Sequence, residues 1–186
     1  MTDSAHPIAA EDILSFWFSA EAKARWFKSD DAFDALLRDR FGAHVLAAKR
    51  GAFDGWSATP EGALALVILL DQIPRNIHRG TPEAFSRDAQ ALAIAEAAIV
   101  KGFDQIIPSE QRNFFYLPFM HSERLADQDR GMQLFAANDI ADGLNYMRLH
   151  RDIIAQFGRF PHRNAILGRQ STPEELEFLR QPGSSF

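Results

Sequence analysis

Three short segments hold most of the side chains able to do chemistry. LDQIPRNIHRG (70–80) carries Asp71, Arg75, Asn76 and Arg79, and YLPFMHSERLADQ (116–128) carries His121, Ser122, Glu123 and Asp127. FGRFPHRN (157–164) carries Arg159, His162 and Arg163, with His150 on the helix-like run before it. Guanidinium forks match carboxylate and phosphate geometry, so Asp71, Arg75, Asn76, Arg79, Arg159, His162 and Arg163 are the candidate ligand-binding residues. Histidine near carboxylates is what acid–base chemistry requires, which makes His121, Asp127 and His150 the catalytic candidates. Taken alone, each segment has a stronger architectural reading. The first set would pair internally around a helix terminus, Ser122 would cap the next helix with Glu123 in its first turn, and His150 would be a satisfied core histidine.

Other chemistries are disfavoured. There is no H-E-x-x-H, no Glu-x-x-His pair of the di-iron type, no Walker loop, no G-x-G-x-x-G and no G-x-S-x-G. A metal site from His121, His150 and His162 with Glu123 or Asp127 would need distant segments to converge, so neither metal nor cofactor is expected. The 186 residues contain no cysteine, which removes disulfides and thiolate chemistry and suits a reducing compartment. The amino terminus lacks a basic region before its apolar residues and carries Asp3, Glu11 and Asp12, so it does not read as a signal peptide; the expected location is the cytoplasm. The longest apolar run, Ala63 to Leu70, is far short of the roughly 20 residues that span a bilayer. A net charge of −5 without blocks of like charge argues against nucleic acid as a partner. One local exception lies between Ala141 and Arg169, where five arginines face two aspartates, a balance that favours an anionic ligand.

The elements that must position these groups are helical. Thr-Pro-Glu recurs at Thr59, Thr81 and Thr172, each before an apolar-periodic stretch. Threonine can accept from an early helical N–H, proline suits the first helical position, and glutamate meets the positive end of the dipole. At Thr172 the box closes with Glu175, and Ser109-Glu110 is a similar start. Stripes at helical spacing include Phe33, Leu36, Leu37, Phe41 and His44 or Val45; Phe85, Ala89, Leu92 and Ile99; Leu125, Met132 and Phe135; and Tyr146, His150, Ile153, Ile154 and Phe157. Pro74 and Pro118 are expected to kink or end the helices that contain them. No sustained two-residue alternation occurs. The predicted fold is therefore all-α, one domain over 1–186, a compact array of antiparallel helix pairs of tetratricopeptide-like length without a clean 34-residue repeat.

LDQIPRNIHRGTPEAF, FFYLPFMHSERLADQ and HRDIIAQFGRFPHRNAILGRQSTPEELEFL, with the opening ILSFWF and RWF and the closing PGSSF, resemble the bacterial family catalogued as domain of unknown function 924 over nearly the whole chain. The resemblance implies a helical, tetratricopeptide-like fold and supplies no reaction. Its motif positions fall here on Asp71, Gln72, Pro74, Arg75, Asn76 and Arg79, on His121, Ser122, Asp127 and Gln128, and on His150, Asp152, Arg159, Pro161, His162, Arg163 and Asn164. Ile73, His78 and Gln156 depart from the pattern, the last removing a cation the family commonly has. The expected function is binding of a small anionic ligand or peptide in one concave polar site. The alternatives are an enzyme using His, Asp and Arg at that site, or a scaffold whose arginines hold helix ends and the carboxylate of Phe186. Composition leaves the oligomeric state open.

Overall fold

The computed structural model describes residues 8–185, and every regular element among them is helical. Asp3, read above as evidence against a signal peptide, and Phe186, read as a carboxylate to be held, lie outside the described residues. No helix among the described residues is long and apolar enough to cross a membrane.

The chain divides into two compact units. The first comprises residues up to Arg79 and Glu83–Pro118. Its helices are α1 (Ala10–Trp17), α2 (Ala20–Lys23), α3 (Asp31–Lys49), α4 (Pro60–Val67), α5 (Ile73–Ile77), α6 (Asp88–Val100), α7 (Phe103–Ile106) and most of α8 (Ser109–His121). Capping sets several starts: Asp30 accepts from the Phe33 N–H at 3.0 Å and Thr59 from the Gly62 N–H at 3.1 Å, with Pro60 in the first turn. Most of the α3 stripe points inward, with Phe33, Leu37, Phe41 and Val45 rather than His44 buried, while Leu36, expected with them, is 38% exposed. It packs on α5, while α4, buried on most faces, packs on α1 and α6. Each fully buried Val, Leu or Phe side chain contributes about 1.5–3 kcal/mol, so α3 and α4 both contribute substantially to the unit's stability.

Three local expectations are corrected here. The helix does not end at Pro74, though its α-geometry is interrupted just before it: residues Ile68–Gln72 widen into a π-helical turn, in which the Ile73 N–H donates to the Ile68 carbonyl, and α5 continues beyond it. In a regular α-helix the proline ring would strike the carbonyl four residues back, and the wider turn moves that carbonyl aside. Thr81 opens only a short 3-10 turn, Pro82–Phe85, and α6 begins at Asp88 without a side-chain cap. The inward face of α6 is Ala91, Ala95 and Ala98 rather than the Ala89, Leu92 and Ile99 stripe, because small residues let it lie close to α4.

The second unit comprises Gly80–Pro82 and residues from Phe119 onward. α8 runs through Pro118 without a break, since the buried rings and side chains of Phe114 to Leu117, Phe119 and Met120 hold it on both sides of the missing N–H. Within the second unit, α9 (Leu125–Ala137) and α10 (Ala141–Phe157) form a hairpin. They approach closely at Gly131, where a Cβ would lie 2.6 Å from the Met147 sulfur. That contact turns Gln128, Gly131, Leu134 and Phe135 inward and leaves Leu125 exposed. On α10 the buried face is Met147, His150, Ile153 and Ile154, and Tyr146, expected on it, is 59% exposed. Gly158, at φ 69°, ends α10 in the left-handed conformation that glycine adopts without strain. A 3-10 turn, Pro161–Arg163, and the six-residue α11 (Pro173–Phe178) follow.

Candidate functional site

The polar residues of segment 70–80 build two internal knots within the first unit. In one, Asp71 sits fully buried on the π-helical turn. It accepts from Gln72 Nε2 at 2.5 Å and from Arg75 Nη2 at 3.3 Å, while the same Arg75 nitrogen reaches Asp88 at 2.9 Å. Burial works against the Arg75 charge, but Asp71 and Asp88 together outweigh it and hold the guanidinium above its ordinary value. In the other, Arg79 grips Asp34 with two parallel bonds of 2.8 and 3.1 Å and Asn76 donates to the same carboxylate at 2.8 Å. Burial alone would raise the Asp34 carboxyl, yet the bonds from Arg79 and Asn76 leave it below the usual range. Bidentate geometry makes these the strong form of the interaction.

Within the second unit the arginine-rich stretch is largely balanced by acids outside it. Arg159 makes a fork on the buried Glu175, with Nε at 2.6 Å and Nη2 at 2.8 Å, and also donates to the Gln170 carbonyl at 2.9 Å. The fork from Arg159, with the Thr172 N–H and Asn164 adding to it against the effect of burial, lowers the Glu175 carboxyl to about 2. Glu175 also closes the capping box of α11, accepting from the Thr172 N–H at 2.8 Å, so one carboxylate both starts a helix and anchors the loop before it. Arg169 makes a second fork, on Glu123 at 2.7 and 2.9 Å, and Glu123 accepts from the Phe160 N–H at 2.8 Å. Burial opposes ionisation of Glu123, and the Arg169 and Phe160 bonds overcome it. Arg151 pairs with Asp129 at 2.8 Å, and Arg148 bonds Asn145.

Two expectations around α9 change accordingly. Ser122 does not cap α9, which begins at Leu125 without a side-chain cap; its hydroxyl donates to Asp127 at 2.6 Å and accepts from the Arg124 N–H at 3.2 Å. Glu123 stands before the helix rather than in its first turn, because a bidentate arginine and a backbone N–H hold it more strongly than a helix dipole does.

Two imidazoles and a guanidinium of the unit gather around the buried ring of Phe160. His150 meets it edge-on at 5.7 Å, His162 lies tilted at 5.5 Å, and the Arg163 guanidinium stands over it at 4.5 Å. His121 also acts on His150 electrostatically. His150 is buried as the apolar stripe predicts, and its Nδ1 lies 2.8 Å from the Tyr146 carbonyl. A carbonyl only accepts, so Nδ1 carries the proton and the tautomer is fixed. Burial, reinforced by His121, His162 and Arg163, lowers the His150 value to about 3, so the ring is neutral at pH 7. Among the described residues no three His, Asp or Glu side chains are grouped to hold a metal ion.

Thus Asp71, Arg75, Asn76 and Arg79 belong to the first unit, and His121, Asp127, His150, Arg159, His162 and Arg163 to the second. Sequence reasoning missed the acids that complete these arrangements. Asp34 and Asp88 carry no local signal, whereas Glu123 was visible as a polar residue before α9 and Glu175 as a capping residue, neither as the partner of an arginine. An open depression in the second unit, about 540 Å³, is lined by Gln156, Pro173, Glu174, Glu177, Phe178 and Gln181, none of them singled out for chemistry.

Comparison with known proteins gives a consistent result. The family described as "Bacterial protein of unknown function (DUF924)" matches residues 13–183. A solved structure of a protein of unknown function from Agrobacterium tumefaciens is similar at 44% identity and a TM-score of 0.89, over 93% of this chain and 97% of that one. No curated protein matches.

Proposed function

The chain belongs to the bacterial family of unknown function DUF924, and we propose that it binds a small anion, a carboxylate or phosphate, through His121, His162 and Arg163 of its second unit. The observation that supports this reading is the gathering of two imidazoles and a guanidinium about the Phe160 ring. Neutral His150 stiffens the cluster without adding charge. A carboxylate at the end of a peptide presents the same chemistry as a free metabolite, and a cytoplasmic setting is part of the same reading.

Calorimetric titration with acetate, an N-acetylated dipeptide and inorganic phosphate tests the proposal. An anion beside imidazoles raises their proton affinity, so binding takes up protons and strengthens as pH falls from 8 toward 6. Removing a charge-assisted hydrogen bond costs about 1.5–3 kcal/mol, so Arg163→Gln weakens binding roughly tenfold or more. His162→Gln serves as the second variant, with folding checked by circular dichroism. Absence of binding by all three probes, or wild-type affinity in both variants, overturns the proposal.

A further inference from the structure

The turn that carries His162 and Arg163 is held at both ends by one side chain. Phe160 precedes the 3-10 turn Pro161–Arg163 and Asn164 follows it. The Phe160 carbonyl accepts from the Arg163 N–H at 3.1 Å, which closes the turn, and from Arg169 Nη2, also at 3.1 Å. At the other end Arg169 donates Nε to the Asn164 side-chain oxygen at 2.9 Å and its own backbone N–H to the Asn164 carbonyl at 2.8 Å. Glu123, just before α9, completes the arrangement: its carboxylate takes the Arg169 fork at 2.7 and 2.9 Å, and its Oε1 accepts the Phe160 N–H at 2.8 Å. Phe160 is thus gripped through its N–H by Glu123 and through its carbonyl by Arg169.

A single 3-10 turn has little regular structure of its own to hold it, so its orientation comes from what surrounds it. Here the surroundings supply charge-assisted bonds, the strong form of the interaction. The Phe160 ring, the His162 imidazole 5.5 Å from it and the Arg163 guanidinium 4.5 Å over it all leave from the backbone so held. We propose that Glu123 and Arg169 are positioning residues of the anion cluster, bracketing the Phe160–Asn164 backbone so that His162 and Arg163 present their donors to one ligand. The inference rests on the anion reading above and adds what sets the affinity of that site. Arg169 is neutralised by Glu123, so it contributes geometry rather than attraction. At Glu123 charge and geometry act in opposite directions: the carboxylate repels an incoming anion, yet the clasp it makes builds the site for one.

The test compares wild type with Glu123→Gln and Arg169→Lys. Calorimetric titration with inorganic phosphate, acetate and an N-acetylated dipeptide reads affinity, and the Phe160 amide and His162 ring resonances of the ligand-free protein read position. Glutamine removes a negative charge, which by charge alone tightens anion binding; lysine keeps the charge but cannot fork, which by charge alone changes nothing. Outer partners that orient ligating groups are worth roughly 10–100-fold in affinity at metal sites, so binding roughly tenfold weaker is expected in both variants, with both resonances displaced. Glu175→Gln, whose losses fall on Arg159, Asn164 and Thr172, controls for destabilisation and should keep wild-type affinity. Thermal melts check folding, and Arg169→Lys, the milder change, decides if Glu123→Gln does not fold. Affinity in Arg169→Lys or a folded Glu123→Gln that equals or exceeds wild type, unmoved Phe160 and His162 resonances, or an equal loss in Glu175→Gln would each overturn the positioning role alone. Absence of binding by wild type is a different outcome, which overturns the anion reading and this inference with it.

Discussion

Replacing Glu175 by glutamine isolates the charge in the Arg159 fork. Glutamine keeps the volume and can still close the capping box at the third helical position, so α11 retains its start. What disappears is the ionic part of the bonds at 2.6 and 2.8 Å. The carboxyl lies at about 2 when folded against an ordinary 4.5, and at about 1.4 kcal/mol per unit this gives on the order of 3 kcal/mol at neutral pH. Solvent reaches Arg159, which is 29% exposed, so screening brings the expectation to about 2 kcal/mol. The sign follows from proton binding. The unfolded carboxyl takes up its proton first, near 4.5, so the contribution is complete above that pH and is lost as pH falls toward about 2. Urea titrations of wild type and Glu175→Gln should differ by about 2 kcal/mol at pH 7, with the gap closing between pH 4.5 and 2. Arg159→Ala combined with Glu175→Gln should cost less than the two single changes together. A gap that stays the same across that pH range would refute the reasoning.

Other consequences are as direct. His150 should show a neutral ring by NMR at pH 5, and stability should decline as pH drops from 6.5 toward about 3, since the unfolded ring protonates first; titration near 6.5 in the folded protein would contradict its burial. Asp71→Ala leaves Arg75 with Asp88 alone in a buried setting and should cost about 3 kcal/mol in urea unfolding. Gly131→Ala places a methyl group 2.6 Å from the Met147 sulfur and 3.1 Å from Phe119 Cβ, so overpacking of about 1–3 kcal/mol should lower the melting temperature.

The helical class and the α3 face were legible because caps such as Asp30 and Thr59 and a stripe such as Phe33, Leu37, Phe41 and Val45 act over a few residues. The prolines were read only in part because propensity is local: at Pro74 the helix leaves α-geometry in a π-helical turn without ending, and α8 does not end at Pro118, where buried rings carry it past. The faces of α6 and α9 were hidden because alanine and glycine, weak hydrophobic signals, are the residues that allow close helix approach. In the candidate site the arginines and histidines stood out by type and density. Their partners did not, since Arg79 meets Asp34 and Arg169 meets Glu123 across long stretches of chain with no periodicity to connect them. The charge excess between Ala141 and Arg169 was real in sequence, yet Asp129, Glu123 and Glu175 answer three of its arginines from outside.

The central claim is that the cluster around Phe160 receives an anion while the forked arginines hold the fold. Histidine ring NMR during titration with the best-binding of acetate, dipeptide or phosphate tests it most directly. The account predicts that the His121 and His162 resonances shift saturably and titrate at higher pH in the bound state, while Arg159 and Arg169 side-chain signals stay in place. Unmoved histidines, or a ligand that instead displaces Glu175 or Glu123 from its arginine, would contradict it.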